Sequence, residues 1–526
     1  MASFTFEPLT PANFVRRSAA VFPDRIAVVD GERQWTYRQF AARCDALRGV
    51  LATLGVGVGA RVAALCVNSH IMVELHQAVP AHGAVLVPIN IRLAPDEIVF
   101  ILEHSGASVL VITAEFAETG RALADRTGVR LLDPDEYEAS IARVDVPDPS
   151  PIDEHQLLAI NYTSGTTGRP KGVMYHHRGA YLQSVAMAYH AGLGPDARYL
   201  WTLPMFHCDG WCFTWAVTAA GGTHICLAAV DPAEIWRRLR TDAVTHLSAA
   251  PTVLTMIAEA PQAAGLPGGR TVHVDTGGAP PSPSLLARLD KLGLRVTHLY
   301  GLTETFGPIA INEWQERWDS LPGDDRARLR ARQGIGNIIA APLRVVDPYG
   351  RDVRADGAEI GELAVRGNDV MLGYYRDDAA TAEVTVDGGW LLTGDLAVKH
   401  PDGYVEIRDR RKDIIISGGE NIASVEVEQV LAGHPDVVEC AVVGVADPRW
   451  GEVPVAYVDL RAGAREDPAG LDAYVRSRLA GFKVPKSFVF AELPKTSTGK
   501  IQKNVLRARV SSLVEGGEGP APADNR

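Results

Sequence analysis

The sequence predicts an α/β fold in which a large N-terminal domain, with doubly wound sheets and a β-rich part, precedes a small α+β domain. A length of 526 residues exceeds what one domain needs, and 46% hydrophobic with 22% charged residues is typical of globular chains with sizeable cores. Short apolar runs alternate with helical patterns through the first 150 residues, as in doubly wound sheets. Near residue 345 this changes to short strands separated by Gly and Asp turns.

Local patterns predict the N-terminal elements. The apolar run 26–29, the turn Asp30-Gly31 and residues 34–35 indicate a hairpin, and Thr36 is a suitable N-cap for the helix that follows. The apolar face of that helix carries Phe40, Cys44, Leu47 and Leu51. Further strands are predicted at residues 62–66, 84–87, 109–112, 157–160, 245–250 and 296–300, and helices at 72–79 and 97–102.

The C-terminal part is predicted to begin at the charged turn 409–412. Before it, strands are expected at residues 361–365, 389–392 and 403–407; after it, helices at 424–431 and 471–479 and strands at 438–445 and 453–460. This division gives an N-terminal domain at residues 1–408 and a C-terminal domain at 413–510. The tail 511–526 contains almost nothing to bury and is predicted to be disordered.

Charge and composition exclude several function classes. The net charge of -12 argues against nucleic-acid binding and against docking on anionic lipid. Six scattered cysteines suggest a reducing compartment rather than a disulfide framework. No secretory signal, membrane span or peroxisomal terminal tripeptide is visible, so we expect a cytoplasmic protein. The sequence is compatible with a homodimer.

A Gly/Ser/Thr-rich segment at residues 162–172 follows the apolar run 157–160. Its consecutive small residues are Thr163, Ser164, Gly165, Thr166, Thr167 and Gly168. Such residues offer unhindered backbone N–H groups and hydroxyl donors, which suit an anion nest, and Arg169 and Lys171 add positive charge. The spacing is not that of a Walker A loop. By composition alone it could be a surface loop; by chemistry it is a candidate polyphosphate site.

Five more segments complete a set of motifs in a fixed order. They are residues 276–280, 300–304, 390–395, 409–422 and 494–501. With 162–172 they resemble the signatures of the adenylate-forming superfamily, in its acyl-CoA synthetase branch that acts on medium-chain fatty and aryl acids. The resemblance covers residues 10 to 508, essentially the whole chain.

The resemblance implies roles for individual residues in binding ATP and Mg²⁺. Tyr300 would stack on adenine, Thr303 would contact the α-phosphate, and Asp395 with Arg410 would bind the ribose. Glu304, with Thr163, would ligate Mg²⁺, as a hard carboxylate suits a hard cation. The residues implied to contact ATP or AMP are Thr163, Ser164, Gly165, Thr166, Thr167, Gly168, Lys171, Gly278, Ala279, Pro280, Tyr300, Gly301, Thr303, Asp395 and Arg410.

The C-terminal motifs imply a mobile catalytic domain. Lys412 occupies the hinge position of the family, so that residues 409–412 would form the hinge. The loop Ser417, Gly418 and Gly419 would be presented to coenzyme A. Lys500 would bridge the substrate carboxylate and the α-phosphate as the catalytic lysine.

The segment 204–211 discriminates between substrates. Amino-acid-activating relatives carry an Asp directly after the residue that corresponds to Phe206, because a buried α-ammonium needs a counter-charge. This chain has His207 there, while Asp209 would point elsewhere, so an apolar acid without an α-amino group is expected. The acyl pocket is predicted to comprise His207, Trp211, Gly278, Gly301 and Phe306. His207 is also a candidate catalytic residue, either orienting the carboxylate or gating the coenzyme A tunnel.

The expected reaction joins a carboxylic acid to coenzyme A with ATP and Mg²⁺. The acid and ATP would give acyl-AMP and pyrophosphate, and the acyl group would then pass to the thiol. The acid could be fatty, aryl or a bulky natural product. An acyl-AMP ligase that loads an acyl-carrier protein is an alternative, as is an adenylate-binding sensor or a luciferase-like oxygenase.

Overall fold

The computed structural model describes residues 5–144, 152–163, 169–461, 463–496 and 501–515. Its strands are β1 (Ile26–Asp30), β2 (Arg33–Thr36), β3 (Arg61–Leu65), β4 (Val85–Pro88), β5 (Ala107–Ile112), β6 (Arg130–Leu132), β7 (Leu157–Thr163), β8 (Lys171–His176), β9 (Arg198–Leu200), β10 (Thr223–Ile225), β11 (His246–Ala249), β12 (Val272–Thr276), β13 (Leu294–Leu302), β14 (Gly307–Ile311), β15 (Ile335–Gly336), β16 (Arg344–Val346), β17 (Gly361–Val365), β18 (Thr385–Val386), β19 (Trp390–Lys399), β20 (Val405–Arg410), β21 (Ile415–Ser417), β22 (Glu420–Ile422), β23 (Val437–Asp447), β24 (Gly451–Leu460) and β25 (Ser487–Phe490).

Helices connect most of these strands. The α-helices are α1 (Ala12–Val21), α2 (Tyr37–Thr53), α3 (His70–Ala81), α4 (Pro95–Ser105), α5 (Ala117–Thr127), α6 (Pro134–Ile141), α7 (His177–His190), α8 (Cys208–Trp211), α9 (Phe213–Ala220), α10 (Pro232–Thr241), α11 (Pro251–Glu259), α12 (Pro283–Lys291), α13 (Gly323–Ala331), α14 (Asp378–Val384), α15 (Ser424–Leu431), α16 (Pro468–Arg476) and α17 (Lys503–Glu515). Short 3-10 turns occur at Ala114–Phe116, Pro267–Gly269, Thr303–Thr305, Glu316–Trp318, Arg411–Asp413 and Gly481–Lys483. None of the helices in the described ranges is both long and apolar enough to cross a bilayer.

Two large, mainly parallel sheets form the N-terminal part. The six-stranded sheet has the order β6-β5-β3-β4-β7-β8, and only its last pair is antiparallel. The nine-stranded sheet has the order β15-β14-β13-β12-β11-β9-β10-β1-β2, with parallel pairing from β13 to β1. Buried residues of both sheets and of α2, α3, α7 and α9 belong to one hydrophobic core, so these helices pack between the sheets. The predicted α/β class with doubly wound sheets is confirmed.

Two smaller sheets complete the fold. Strands β16-β17-β19-β18, with β20 on β19, form the antiparallel sheet of the predicted β-rich part. Strands β22-β21-β24-β23, with β25 on β24, form the C-terminal sheet. The C-terminal sheet has hydrophobic cores of its own, built around residues such as Val442 on one side and Leu506 on the other. Separate cores support the predicted division into two domains, whose boundary at 409–412 stays a proposal.

The N-terminal hairpin and the capped helix match their predictions. Strands β1 and β2 are antiparallel, and Asp30 pairs with Arg33 at the turn. Thr36 begins α2 with a capping box, in which its side chain accepts from the backbone of Gln39 and the Gln39 side chain accepts from the backbone of Thr36. Side chains of the predicted apolar face are buried: Phe40, Cys44, Leu47 and Leu51.

The C-terminal tail differs from its prediction. Helix α17 continues to Glu515, although residues from 511 onward were expected to be disordered. The reason is that Leu506 is fully buried in the C-terminal domain and anchors the helix. An anchored helix gains one backbone hydrogen bond for each residue it adds, even where the sequence has little to bury. Residues 516–526 lie outside the described ranges.

Helix α8 is a single turn of left-handed backbone. Five consecutive residues have positive φ, between 50° and 62°: Cys208, Asp209, Gly210, Trp211 and Cys212. Left-handed backbone costs roughly 1–2 kcal/mol for each residue other than glycine. The surrounding packing therefore has to hold this turn in place, and nothing in the local sequence predicts it.

A buried ion-pair network ties α2, α3 and α6 together. Arg43 contacts Glu74, 2.5 Å away, and Glu138, 2.9 Å away, and Glu74 is only 1% exposed. Tyr137 donates a 2.6 Å hydrogen bond to Glu74. Hydrogen bonds from His70 and Arg43 lower the pKa of Glu138 to about 2. This carboxylate therefore stays charged across the physiological pH range.

We expect Arg43→Met to destabilise the protein by about 3–5 kcal/mol, because it leaves the carboxylate of Glu74 buried without its guanidinium. The denaturation midpoint in urea, followed by tryptophan fluorescence, measures the change. Arg38→Met is the matched control, since its pair with Asp24 is exposed and is worth about 0.2–1 kcal/mol. Equal losses in the two variants would contradict the prediction.

Candidate functional site

The predicted phosphate loop is the connection of a β-hairpin. Strands β7 and β8 are antiparallel, and Thr163 pairs with Lys171 where the loop leaves and rejoins the sheet. The hydroxyl of Thr163 lies 3.5 Å from the carbonyl oxygen of Lys171. The predictions for Ser164, Gly165, Thr166, Thr167 and Gly168 concern residues outside the described ranges. The structure thus establishes where the loop is attached.

Three residues of the predicted nucleotide site come together across two sheets. Tyr300, near the end of β13, donates a 2.6 Å hydrogen bond to Asp395 on β19. Asp395 is paired in register with Arg410 on β20, whose Nε lies 3.4 Å from the carboxylate. Burial, with the charge of Asp395, raises the pKa of Tyr300 well above its usual value, so the phenol remains a donor. This cluster joins the nine-stranded sheet to the antiparallel sheet.

Glycine is favoured for different structural reasons at two of the predicted site positions. Gly278 follows β12 with φ of 87°, next to the exposed Ala279 and the half-buried Pro280, and a Cβ there would meet no atom within 4 Å. Only its backbone conformation therefore favours glycine. Gly301 is required by sterics, since a Cβ there would lie 1.8 Å from the carbonyl oxygen of Gly307. Gly301 therefore permits the close approach of β13 and β14 next to Tyr300.

Tyr374 links two predicted site residues and was missed by the sequence analysis. Its hydroxyl donates a 2.7 Å hydrogen bond to Glu304, and the ammonium of Lys171 lies 4.9 Å from the centre of its ring. Burial, followed by the charge of Glu304, raises the pKa of Tyr374, which keeps it a donor. In the sequence, its Gly-Tyr-Tyr context is indistinguishable from ordinary core packing.

The surroundings of Glu304 fit Mg²⁺ bound to ATP. Within the described ranges no group of three or more His, Cys, Asp and Glu side chains could hold a metal ion by itself. Mg²⁺ is usually held by one or two carboxylates together with substrate phosphates. A half-buried Glu304, with one oxygen held by Tyr374 and with Lys171 close by, suits that mode of binding.

The left-handed turn, which contains part of the predicted acyl pocket, lies against the segment that contains Thr303. The sulfur of Cys208 lies 3.6 Å from the hydroxyl of Thr303 and 3.7 Å from Nε2 of His207. Burial raises the pKa of the Cys208 thiol to about 12, so it is not a thiolate nucleophile at neutral pH. His207 is half-buried at the start of the turn. It is therefore placed beside the residue predicted to contact the α-phosphate.

Trp211 fills the space between two glycines. A Cβ on Gly277 would lie 3.2 Å from one end of the indole, and a Cβ on Gly307 would lie 3.1 Å from the other. Phe306, in contrast, is fully buried and stacks on Tyr175 at 3.9 Å. The backbone of Phe306 has a φ of 56°, and its predicted place in the acyl pocket stays a proposal.

The C-terminal predictions occupy a turn and a hairpin. Lys412 is exposed in the 3-10 turn Arg411–Asp413, which joins β20 to β21. Ser417, Gly418 and Gly419 form the tip of the β21–β22 hairpin, where the Gly418 amide donates a 2.7 Å hydrogen bond to the carbonyl of Trp450. Lys500 lies outside the described ranges, so its role stays a prediction.

Comparison with known families decides the identity of this architecture. A model described as AMP-binding enzyme matches residues 15–375, and one described as AMP-binding enzyme C-terminal domain matches residues 426–500. The chain belongs to the AMP-binding enzyme family. Its resemblance to the adenylate-forming acyl-CoA synthetases is thereby confirmed.

Individual relatives narrow the activity. An acetate/butyrate–CoA ligase of Arabidopsis thaliana, described as peroxisomal, is 43% identical over 98% of this chain and 96% of its own length. A 4-hydroxybutyrate–CoA ligase of Metallosphaera sedula is 40% identical, over 95% of this chain and 94% of its own length. The crystal structure of ATP-bound MatB from Rhodopseudomonas palustris superposes with a TM-score of 0.86, at 29% identity and with 95% and 99% of the two chains covered. This AMP-binding enzyme is an acid–thiol ligase that uses ATP and coenzyme A.

We expect Tyr374→Phe to raise the Mg²⁺ concentration for half-maximal ATP–pyrophosphate exchange by about tenfold. A hydrogen bond to a charged group is worth about 1.5–3 kcal/mol, and its loss frees the Glu304 carboxylate to rotate. Tyr37→Phe is the control, since it removes a comparable 2.7 Å hydrogen bond, to Gly222, remote from this site. An unchanged Mg²⁺ dependence in Tyr374→Phe would show that the hydroxyl does not orient a metal ligand.

Proposed function

We propose that this AMP-binding enzyme activates a small carboxylic acid without an α-amino group as its adenylate and transfers the acyl group to coenzyme A. The observation that carries the proposal is the meeting of two clusters around the end of β13. Tyr300, Asp395 and Arg410 offer an aromatic face and ribose partners. Lys171 and Glu304, which both contact the neutral Tyr374, offer charges for a phosphate chain and its metal ion. Thr303, which is predicted to contact the α-phosphate, lies between Tyr300 and Glu304 in the sequence.

In the first half-reaction, a carboxylate oxygen of the acid attacks the α-phosphorus of ATP. The bond to the β-phosphate breaks, pyrophosphate leaves, and acyl-AMP remains. The loop 164–168 and Lys171 would bind the phosphates, and Lys500 would stabilise the charge that develops at the α-phosphate. Mg²⁺, when bound to Glu304 and Thr163, would neutralise part of the phosphate charge.

In the second half-reaction, the small domain rotates about Lys412. The loop Ser417–Gly419 then faces coenzyme A, whose sulfur attacks the acyl carbon as its proton is lost to solvent. The carbon–oxygen bond to the phosphate breaks and AMP leaves. An acyl-carrier protein as acceptor is the second candidate within this mechanism. We place the reaction in the cytoplasm.

Trp211 supports a short acid as the substrate. The indole occupies the space beside Gly277 and Gly307. We infer that a longer acyl chain would extend into this space. Relatives described as ligases of acetate, butyrate, 2-methylpropanoate and 4-hydroxybutyrate point in the same direction, while another relative is described as a benzoate–CoA ligase. We therefore narrow the sequence-based expectation of fatty, aryl or bulky acids to small acids, either short aliphatic ones or benzoate.

A panel of acids tests the proposed function. Acetate, butyrate, octanoate, benzoate and alanine are incubated with ATP, Mg²⁺ and hydroxylamine, and then with coenzyme A or an acyl-carrier protein. We expect pyrophosphate release and hydroxamate with the short acids, a thioester with coenzyme A, and little reaction with alanine. Release of ADP and phosphate would contradict adenylation, and acylation of the carrier protein alone would favour the second candidate.

Replacing Trp211 by alanine should extend the preference towards longer acids. Each methylene that the vacated space buries contributes about 0.8 kcal/mol, so the ratio of kcat/KM for octanoate over butyrate should rise about tenfold to hundredfold. The core residue Trp236, which donates to Ile257 away from the site, supplies the control variant Trp236→Phe. A ratio that stays constant in Trp211→Ala would mean that the indole does not limit chain length.

A further inference from the structure

The left-handed turn 208–212 is held by contacts from outside itself. The Thr214 hydroxyl donates a 3.1 Å hydrogen bond to the carbonyl of Asp209, and the Ser184 hydroxyl lies 3.4 Å from the carbonyl of Cys212. The side chain of Asp209 is fully buried. A carboxylate in such a place needs partners that stabilise its charge.

Asp209 has two side-chain partners, on different elements. Nδ2 of Asn161, on β7, donates a 2.9 Å hydrogen bond to Oδ2. Nε2 of His76, on α3, lies 3.2 Å from Oδ1, and both side chains are completely buried. Within the described part of the chain neither of these last two atoms has an aligned hydrogen-bond partner, so their contact is an ion-pair distance rather than a hydrogen bond.

The contact made by Nδ1 of His76 indicates which of its ring nitrogens carry protons. Nδ1 lies 2.7 Å from the carbonyl oxygen of Met72, which can only accept, so Nδ1 carries a proton. Nε2 faces a carboxylate and needs a proton of its own for that contact to be favourable. A proton on Nε2 would place a positive imidazolium beside the Asp209 carboxylate, and the buried pair would then be neutral as a whole.

This pair connects the two sides of the proposed site. Asn161 lies two residues before Thr163, where β7 leads into the phosphate loop. Asp209 lies between His207, at the start of the turn, and Trp211, which limits the space for the acid. The same carboxylate thus contacts the strand of the phosphate loop and shapes the turn on the acyl side.

We propose that Asp209 and His76 are positioning residues, which hold the acid-binding turn at a fixed distance from β7, the strand that precedes the phosphate loop. The pair touches neither ATP nor the acid and acts through the turn and β7. The inference rests on the proposed function and adds to it two residues on which the alignment of the acid carboxylate with the α-phosphate depends. Asp209 is also the residue that the sequence analysis expected to point elsewhere.

The test is the KM for butyrate in ATP–pyrophosphate exchange, measured per active site by a burst of acyl-AMP. Asp209→Ala should raise it about tenfold or more, while the KM for ATP changes less than twofold. Asp209→Asn should recover most of the loss, because its amide can accept from Asn161 and donate to a neutral His76. Glu74→Gln is the control, since it removes a different buried carboxylate, on α3, without touching the turn.

A lower melting temperature with an unchanged KM for butyrate would overturn the inference, and so would equal increases in the two KM values. If Asp209→Ala does not fold, Thr214→Val removes only the hydroxyl donor to the turn. It should raise the KM for butyrate about threefold, and no rise would again overturn the inference. Wild-type enzyme without exchange on any acid would instead contradict the proposed function and the inference together.

Discussion

The site depends on one buried carboxylate, Asp395, at the junction of three parts of the chain. It accepts from Tyr300 of the nine-stranded sheet and pairs in register with Arg410 of the antiparallel sheet. Arg410 ends β20, and the next residues lead into the C-terminal domain. A ribose bound to Asp395 would therefore lie where the large domain, the β-rich part and the small domain meet. A rotation of the small domain would begin directly beside the nucleotide.

Charge separation is the second constraint. The ring of Tyr374 lies under the ammonium of Lys171, while its hydroxyl engages Glu304. One aromatic residue thus contacts a cation through its face and an anion through its edge, and it holds them on different sides. This arrangement suits a ligand that carries both phosphate charge and a metal ion, because each protein group can bind its own counterpart.

Close packing explains the acyl side. Trp211 spans the positions of two glycines, and the strained turn that carries it is held by the buried pair of Asp209 and His76. The physical cost of left-handed backbone is offset by hydrogen bonds and by the burial of large side chains around it. The size of the proposed acyl pocket and the strain of the backbone thus both arise from this turn. Its buried carboxylate, Asp209, also contacts β7, the strand before the phosphate loop.

The sequence by itself determined the family, the order of the motifs and the local elements. Thr36 and Gln39 cap α2, and Asp30 turns the first hairpin, because these interactions involve neighbours along the chain. Helix α17 extends into the segment that was predicted to be disordered, since burial of Leu506 is a tertiary contact. Only tertiary structure revealed Tyr374 as the partner of Glu304, the requirement for glycine at 301 and the pairing of His76 with Asp209. Each of these joins residues that are remote in sequence, and no local pattern encodes which remote side chain a buried group will meet.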